Sequence, residues 1–482
     1  MIFKQQPPAL FYLCMTELWE RFGFYVVQGM LVLFMSKSFG FPDNVCYTIQ
    51  GVFTALAYIS PIIGGFIADR LLGFKFSIIC GGLFLSAGYV MLALPNTELF
   101  YLSLATIIVG NGLFKPNVSS LLGTLYEHGD PNRESGFTIF YIGINLGAVL
   151  AGTSSGYIKD HFGWNAGFGL ASAGLILGLC MFMLGMRKFS SMRHNSLMTP
   201  PKASLPIKGG VLLGCLFTIG LVSFLLQSSA ITNWLFPILG AALLLLLTLL
   251  TLKQQHQDRQ KLFVLSSLIL SSIVFWMFFL QLFSSANLFI DRLVDKTAFG
   301  FSIPTTAFYT LEAIYVILLG PAFAWSWSTL SLNNKNPSPV IKFIIAIVFA
   351  GLGFVVLWLS TFFVNANSQV NLLWIVLSYF FITLGDLLLS PIGLSAVTTL
   401  APRNLIGMMM GVWFVATGFG GRFAGDLAKI SSIPQGVTAL SEQILIYRHA
   451  FLIYTLIAGG VALALFTIQL FIKRIMGSEA VI

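Results

Sequence analysis

The chain has 482 residues, 57% of them hydrophobic and 9% charged, with a formal net charge of +9. A soluble domain carries roughly 25% charged residues, so the composition excludes one and implies an all-α polytopic membrane protein lodged in a lipid bilayer. The positive balance fits basic loops on one membrane face, and no nucleic-acid partner is expected.

The first apolar run extends from Ala9 to Met35 and contains Glu17, Glu20 and Arg21. A helix starting after these charges, at Phe22, has 14 residues to Met35. A crossing takes about 17–25. The charges therefore lie inside the span, each at a cost of roughly 2.5–3.5 kcal/mol. Glu17 and Arg21, four apart, share a helix face. Glu20, Phe24 and Gln28 continue nearly the same face, with Tyr25 beside it. A static salt bridge gluing two helices is one reading. A helix that handles protons and substrate along a water-filled cavity is the other, and the size of the cost favours it.

Further apolar stretches fall at 46–68, 76–94, 98–122, 136–158 and 165–186, then at 209–227 and 232–252 after a polar segment, Arg187 to Lys208. Six more lie at 262–288, 305–328, 340–362, 370–398, 405–428 and 448–472. About 14 spans result, so both ends lie on one side. The loops on that side hold 17 Lys and Arg, among them Lys4, Arg193, Lys202 and Arg403, against 7 opposite. Both termini are therefore expected in the cytoplasm. The polar linkers bracket the two middle spans and divide the rest six and six. This predicts a six-helix bundle at 1–186, a linker with two extra helices at 187–261, and a second bundle at 262–482.

The second span ends in Gly64–Lys75, whose Asp69, Arg70 and Lys75 suit either a solvated turn or a gate brace, and the density of charge and small residues favours the brace. Lys115 follows a run from Leu99 that is almost long enough to end there, so it reads equally as a cytoplasmic flank or as part of a longer helix kinked at Pro116. Asn145, among glycines in FYIGINLGAVLAG, is as suited to helix packing as to a ligand. Glu312 lies about seven residues into its span, roughly 10 Å deep, as an interfacial or a cavity carboxylate. Only 14 residues separate Asn371 from Leu384, so Asp386 is inside its span, with Pro391 beyond it to kink the helix. A cavity role is preferred there over a static pair. Arg422 and Asp426 form a flank pair at i,i+4. Five scattered cysteines, Cys14, Cys46, Cys80, Cys180 and Cys215, read as apolar fillers, and the five histidines, His128, His161, His194, His256 and His449, fall in loops or near helix ends. No metal site and no cofactor is expected. The N-terminus lacks a convincing signal peptide.

Glu17–Val26, ELWERFGFYV, resembles the E-x-x-E-R-F-x-Y-Y-G signature of the proton-dependent oligopeptide transporters of the major facilitator superfamily, bacterial type. Phe137–Leu150, FTIFYIGINLGAVL, looks like their F-Y-x-x-I-N-x-G-S-L signature, and Gly64–Lys75 is similar to the superfamily's cytoplasmic loop motif. Phe114–Tyr126 and Gly385–Pro402 also look like family segments, so the resemblance runs nearly the whole chain. It implies the major facilitator fold, two six-helix bundles plus two extra central helices. It also implies alternating-access symport of protons with di- and tripeptides, by a protein of the inner membrane that functions as a monomer. Proton coupling would fall to Glu17, Glu20, Arg21, Lys115 and Asp386. The peptide pocket would include Arg21, Tyr25, Gln28, Tyr58, Lys115, Asn145, Trp276, Glu312, Asp386, Ser390 and Trp413.

The sequence departs from the family pattern at several of these places. Phe24 replaces a tyrosine, Val26 a glycine and Asp386 a glutamate. Gln28 and Leu280 stand where many members have an Arg and a Glu, so one cation and one anion are lost together. Glu312 stands where an Asn is usual, which favours a cationic substrate group or a second proton. The implied mechanism draws the peptide carboxylate to Arg21 and Lys115 and its amino group to Asp386 or Glu312. Protonation of a glutamate frees a cation from its pair. A carrier of a non-peptide solute and a non-transporting nutrient sensor stand as alternatives. An intramembrane enzyme would need a nucleophile–base pair, a metal cluster or a phosphate loop, and none is visible.

Overall fold

The computed structural model describes residues 6–94, 96–126, 130, 132–191, 204–298, 300–333, 335–402 and 404–476. Lys4, His128, Arg193, His194, Lys202 and Arg403 lie outside the described residues. The helices are α1 (Pro8–Ser38), α2 (Asp43–Ile67), α3 (Phe74–Ala93), α4 (Thr97–Gly123), α5 (Arg133–Ser191), α6 (Leu205–Gln227) and α7 (Ser229–Leu252). They continue as α8 (His256–Phe279), α9 (Ser285–Leu293), α10 (Thr310–Leu332), α11 (Pro339–Ser360), α12 (Leu373–Leu400), α13 (Ile406–Ala428) and α14 (Leu440–Met476).

Among the described residues 12 helical segments are long and apolar enough to cross a membrane. One of them, Ser135–Lys188, is 54 residues long, about twice a single crossing. It turns at Gly163, whose φ of 84° is open to glycine and strained for other residues. That segment therefore supplies two spans. That makes thirteen apolar spans among the described residues; α13, 23 residues long, is the expected span that falls short of the same apolarity.

Two boundaries differ from expectation. The span at 262–288 is not one helix: α8 ends at Phe279, a 3₁₀ turn covers Leu280–Phe283, and α9 follows. The break sits on a polar group. The Gln281 amide nitrogen donates to the Met277 and Ala424 carbonyls at 3.0 and 2.9 Å, and its oxygen accepts from the Ser284 and Ser285 hydroxyls. These side chains satisfy one another where the helical ladder lapses. The span at 305–328 opens as a 3₁₀ turn, Thr305–Tyr309, so Glu312 lies in the first turn of α10 and not two turns in. Its carboxylate is suited to the positive end of that helix.

By contact the chain forms two units, Met1–Phe34 with Leu56–Ser229 and Met35–Ala55 with Ala230–Ile482. In the first, α3 packs along α4 and α5, and α6 lies on α4. A Cβ added at Gly64 of α2 would overlap the Gly112 backbone of α4. That approach lets the Ser60 hydroxyl donate to the Ile108 carbonyl at 3.0 Å. In the second unit α11 packs on α12 and α14, and α8 on α13. Here Arg292 holds Asp43 through two bonds of 2.7 Å, and Lys37 pairs with Asp291 at 2.7 Å. Arg422, expected as a flank pair, does bind Asp426 at 2.6 Å. It is nevertheless buried, and it also reaches Asn233 of α7 at 2.8 Å, tying that extra helix to α13.

Candidate functional site

The charged stripe of α1 is buried. Glu17 is 2% exposed, Glu20 0% and Arg21 3%. Arg21 and Glu20 form a two-pronged pair, Nε to Oε2 at 2.5 Å and Nη2 to Oε1 at 2.6 Å. Glu17 stands further off, 3.6 Å from Arg21 Nε, and its other carboxylate oxygen is buried with no hydrogen-bond partner among the described residues. The tight ion pair thus lies between neighbours on one helix. It glues no second helix to α1.

Contact with α4 is made by a neutral group that the sequence reading missed. Asn111 accepts from Arg21 Nη2 at 3.3 Å and donates to the Ala57 carbonyl of α2 at 2.7 Å. An amide inside an apolar run, one helical turn before Lys115, was the available signal. The close Gly64–Gly112 packing brings α2 near enough for this bridge. Lys115 itself lies within α4 and is half-buried, with Pro116 inside the same helix, so the longer-helix reading holds. Its Nζ sits 4.7 Å over the Tyr58 ring, a contact that partly replaces water around a cation. Lys115 forms no ion pair among the described residues, although it belongs to one electrostatic cluster with Glu17, Glu20 and Arg21. Two carboxylates and two cations balance, but they are unevenly paired.

The remaining predicted residues of this unit are placed less centrally. Phe24 lies under Arg21, 4.8 Å from its guanidinium, where a tyrosine was the family expectation. Tyr25 packs edge-on against Phe24 at 6.0 Å, and Gln28 is buried with a partner. Asn145 donates to the Tyr141 carbonyl of its own helix at 3.0 Å. Nearby, a Cβ at Gly147 would overlap the Leu18 carbonyl, so this face of α5 packs closely on α1. Asp69 and Arg70 lie exposed in a π-helical turn, Ala68–Leu72, without an ion pair among the described residues, while Lys75 is half-buried and has a partner.

The second unit carries a separate, purely acidic pair. Asp386 is 7% exposed and accepts from the Ser390 hydroxyl, one turn later on α12, at 2.5 Å. Glu312 of α10 is close enough to act on it electrostatically. Neither carboxylate has a cation within 4.0 Å among the described residues. Trp413 is buried, and its ring occupies the space that a Cβ at Gly393 would fill. Trp276 packs edge-on against Phe279 at 5.2 Å, and its indole nitrogen is buried with no acceptor among the described residues. Leu280 is buried in the 3₁₀ turn. No group of three or more His, Cys, Asp or Glu among the described residues could hold a metal ion.

Residues 75–444 match the POT family. The chain is 33% identical over 449 residues to the peptide transporter YePEPT of Yersinia enterocolitica, covering 88% of each. It is 32% identical over 475 residues to dipeptide and tripeptide permease A of Proteus mirabilis, covering 97% of this chain and 96% of that one. Among solved structures, tetrameric PepTSo2 aligns with a TM-score of 0.85 at 27% identity, over 97% of this chain and 98% of that one. A peptide transporter POT in complex with sulfate aligns at 0.79 and 30%, over 95% of both.

Proposed function

The chain belongs to the POT family, and on that premise we propose that it is a proton-coupled symporter importing di- and tripeptides by alternating access. It is a carrier and not an enzyme. The observation that supports the coupling role is the uneven pairing of the buried charges. Arg21 is held most tightly by Glu20, while among the described residues Glu17 keeps an unbonded oxygen and Lys115 forms no ion pair, its Nζ lying over the Tyr58 ring. A buried pair is costly to break outright, so an incoming proton or anion that supplies a replacement partner can shift the cluster from one pairing to another.

The peptide carboxylate is assigned to Arg21 and Lys115, and its ammonium to Asp386 or Glu312. Tyr25, Gln28, Tyr58, Asn145, Trp276, Ser390 and Trp413 shape the pocket, and Asp69, Arg70 and Lys75 serve the gate. Proton arrival at Glu20 or Glu17 releases a cation to the substrate. The proton is the coupling ion, and no cofactor takes part. The basic bias of one set of loops supports a reading in which both termini face the cytoplasm, and the inner membrane is the assigned location. The domains run 1–186, 187–261 and 262–482, and the monomer is the working unit.

Uptake of labelled dialanine into proteoliposomes, with and without an inward pH gradient, tests the reading. Concentrative uptake only with the gradient, competed by dipeptides and not by unrelated solutes, is expected. Competition by unrelated solutes alone would point to a non-peptide carrier.

A further inference from the structure

The elbow between α7 and α8 encloses a groove of about 720 Å³, within the usual range of roughly 300–1,000 Å³ for a small-molecule site. Its long wall is apolar: Leu244, Leu247 and Leu252 from α7, Phe263 and Leu270 from α8. Leu244, Leu252 and Phe263 are each about half exposed, at 50%, 54% and 46%. In a membrane-spanning chain such a face meets acyl chains.

The other end of the groove is polar and basic. His256 and Arg259 line it, and Lys253 and Lys261 flank it on the elbow KQQHQDRQK, against the single acid Asp258. Arg259 has no ion pair or hydrogen bond among the described residues. Between the two ends lies Ser266, 9% exposed, whose hydroxyl is buried with no hydrogen-bond partner among the described residues. The other hydroxyls of the groove are satisfied by their own helices: Thr248 by Leu244, Thr251 by Leu247 and Ser267 by Phe263. Among these hydroxyls Ser266 alone lacks a partner among the described residues, on a residue that lines the groove. It stands seven residues from Arg259, about 10 Å along the helix axis. A basic mouth, an orphan hydroxyl deeper in and apolar walls beyond match, in that order, the phosphate, the glycerol ester and the acyl chain of one lipid.

We propose that the α7–α8 elbow is a binding site for one anionic phospholipid, its headgroup phosphate on Arg259 and His256 and an ester carbonyl on Ser266. The site gives the second extra helix a function of its own, docking a lipid to the carrier's flank. Basic pockets between membrane helices near the surface bind anionic headgroups in this way.

The test is native mass spectrometry of the full-length protein released from nanodiscs of equal parts phosphatidylglycerol and phosphatidylcholine. Wild type should retain phosphatidylglycerol in preference. Arg259→Ala should weaken that retention by about fivefold, the worth of one cation near the surface, and Ser266→Ala should weaken it further. Lys335→Ala, which removes an exposed cation elsewhere, should leave it unchanged. Counterflow exchange of dialanine should persist in each variant, which shows that it is folded. Equal retention of both lipids, meaning annular lipid only, overturns the proposal. So does wild-type retention in both groove variants. Displacement of phosphatidylglycerol by millimolar inorganic phosphate would also overturn it, since the site would then be one for phosphate and not for a lipid.

Discussion

Replacing Glu20 with Gln removes one charge from the α1 cluster and almost no volume. Glu17 and Glu20 balance Arg21 and Lys115, two against two; the variant leaves one against two. Arg21 loses its bidentate partner, whose bonds are 2.5 and 2.6 Å, in a site where both residues are at most 3% exposed. Breaking a buried pair costs about 3–5 kcal/mol, and the Gln oxygen, which keeps one bond, holds the loss near the lower end. Glu17, already 3.6 Å from Arg21, is placed to close on it. The protein should therefore fold, with a lowered melting temperature. Its transport should divide. An inward pH gradient of two units stores about 2.7 kcal/mol per proton, enough for roughly hundredfold accumulation. In proteoliposomes Glu20→Gln should fall from concentrative uptake of dialanine to simple equilibration, while counterflow exchange without a gradient continues. Intact gradient-driven accumulation in the variant would refute the assignment of the proton to Glu20.

Other outcomes follow from the same contacts. Asp386→Asn keeps a partner for Ser390 but removes the buried carboxylate. Loss of a bond to a charged group, about 1.5–3 kcal/mol, should raise the KM for dialanine by at least about tenfold and abolish its preference over N-acetylated dialanine; an unchanged preference rejects the role. Glu312→Asn should shift selection among neutral, basic and acidic dipeptides away from basic ones, and an identical ranking counts against a substrate role for Glu312. Asn111→Leu leaves the Ala57 carbonyl only the long 3.4 Å bond from the Ser60 hydroxyl among the described residues and removes an acceptor from Arg21, costing about 1–3 kcal/mol, visible as a lower melting temperature in detergent. Gly64→Ala forces α2 off the Gly112 backbone at a cost of about 1–3 kcal/mol, and a melting temperature equal to wild type would contradict the close approach.

The spans were legible because hydrophobic length is a one-dimensional property. Asp386 and the α1 charges were legible because each stood too far from a span's end to be a flank. What escaped depended on side-chain reach and on backbone detail. Helix-face arithmetic pairs Glu17 with Arg21, whereas the long guanidinium curls back onto its immediate neighbour Glu20. Asn111 is neutral, so a search for charges passed over the residue that links three helices. The interruption after Phe279 has no Pro or Gly to announce it; its signal was the polar trio Gln281, Ser284 and Ser285, which an apolar window averages away. Glu312 was read as deep in a helix because a 3₁₀ turn and an α-helix look alike in hydropathy.

The claim under all of this is that protons and peptide move as one cargo because buried charges change partners. Coupling of two ligands is reciprocal, so a peptide gradient alone must drive protons. Liposomes carrying the protein and a trapped pH-sensitive dye, started at equal pH on both sides and given external dialanine, should acidify inside as labelled peptide enters. Entry of the label with an unchanging internal pH would contradict the account.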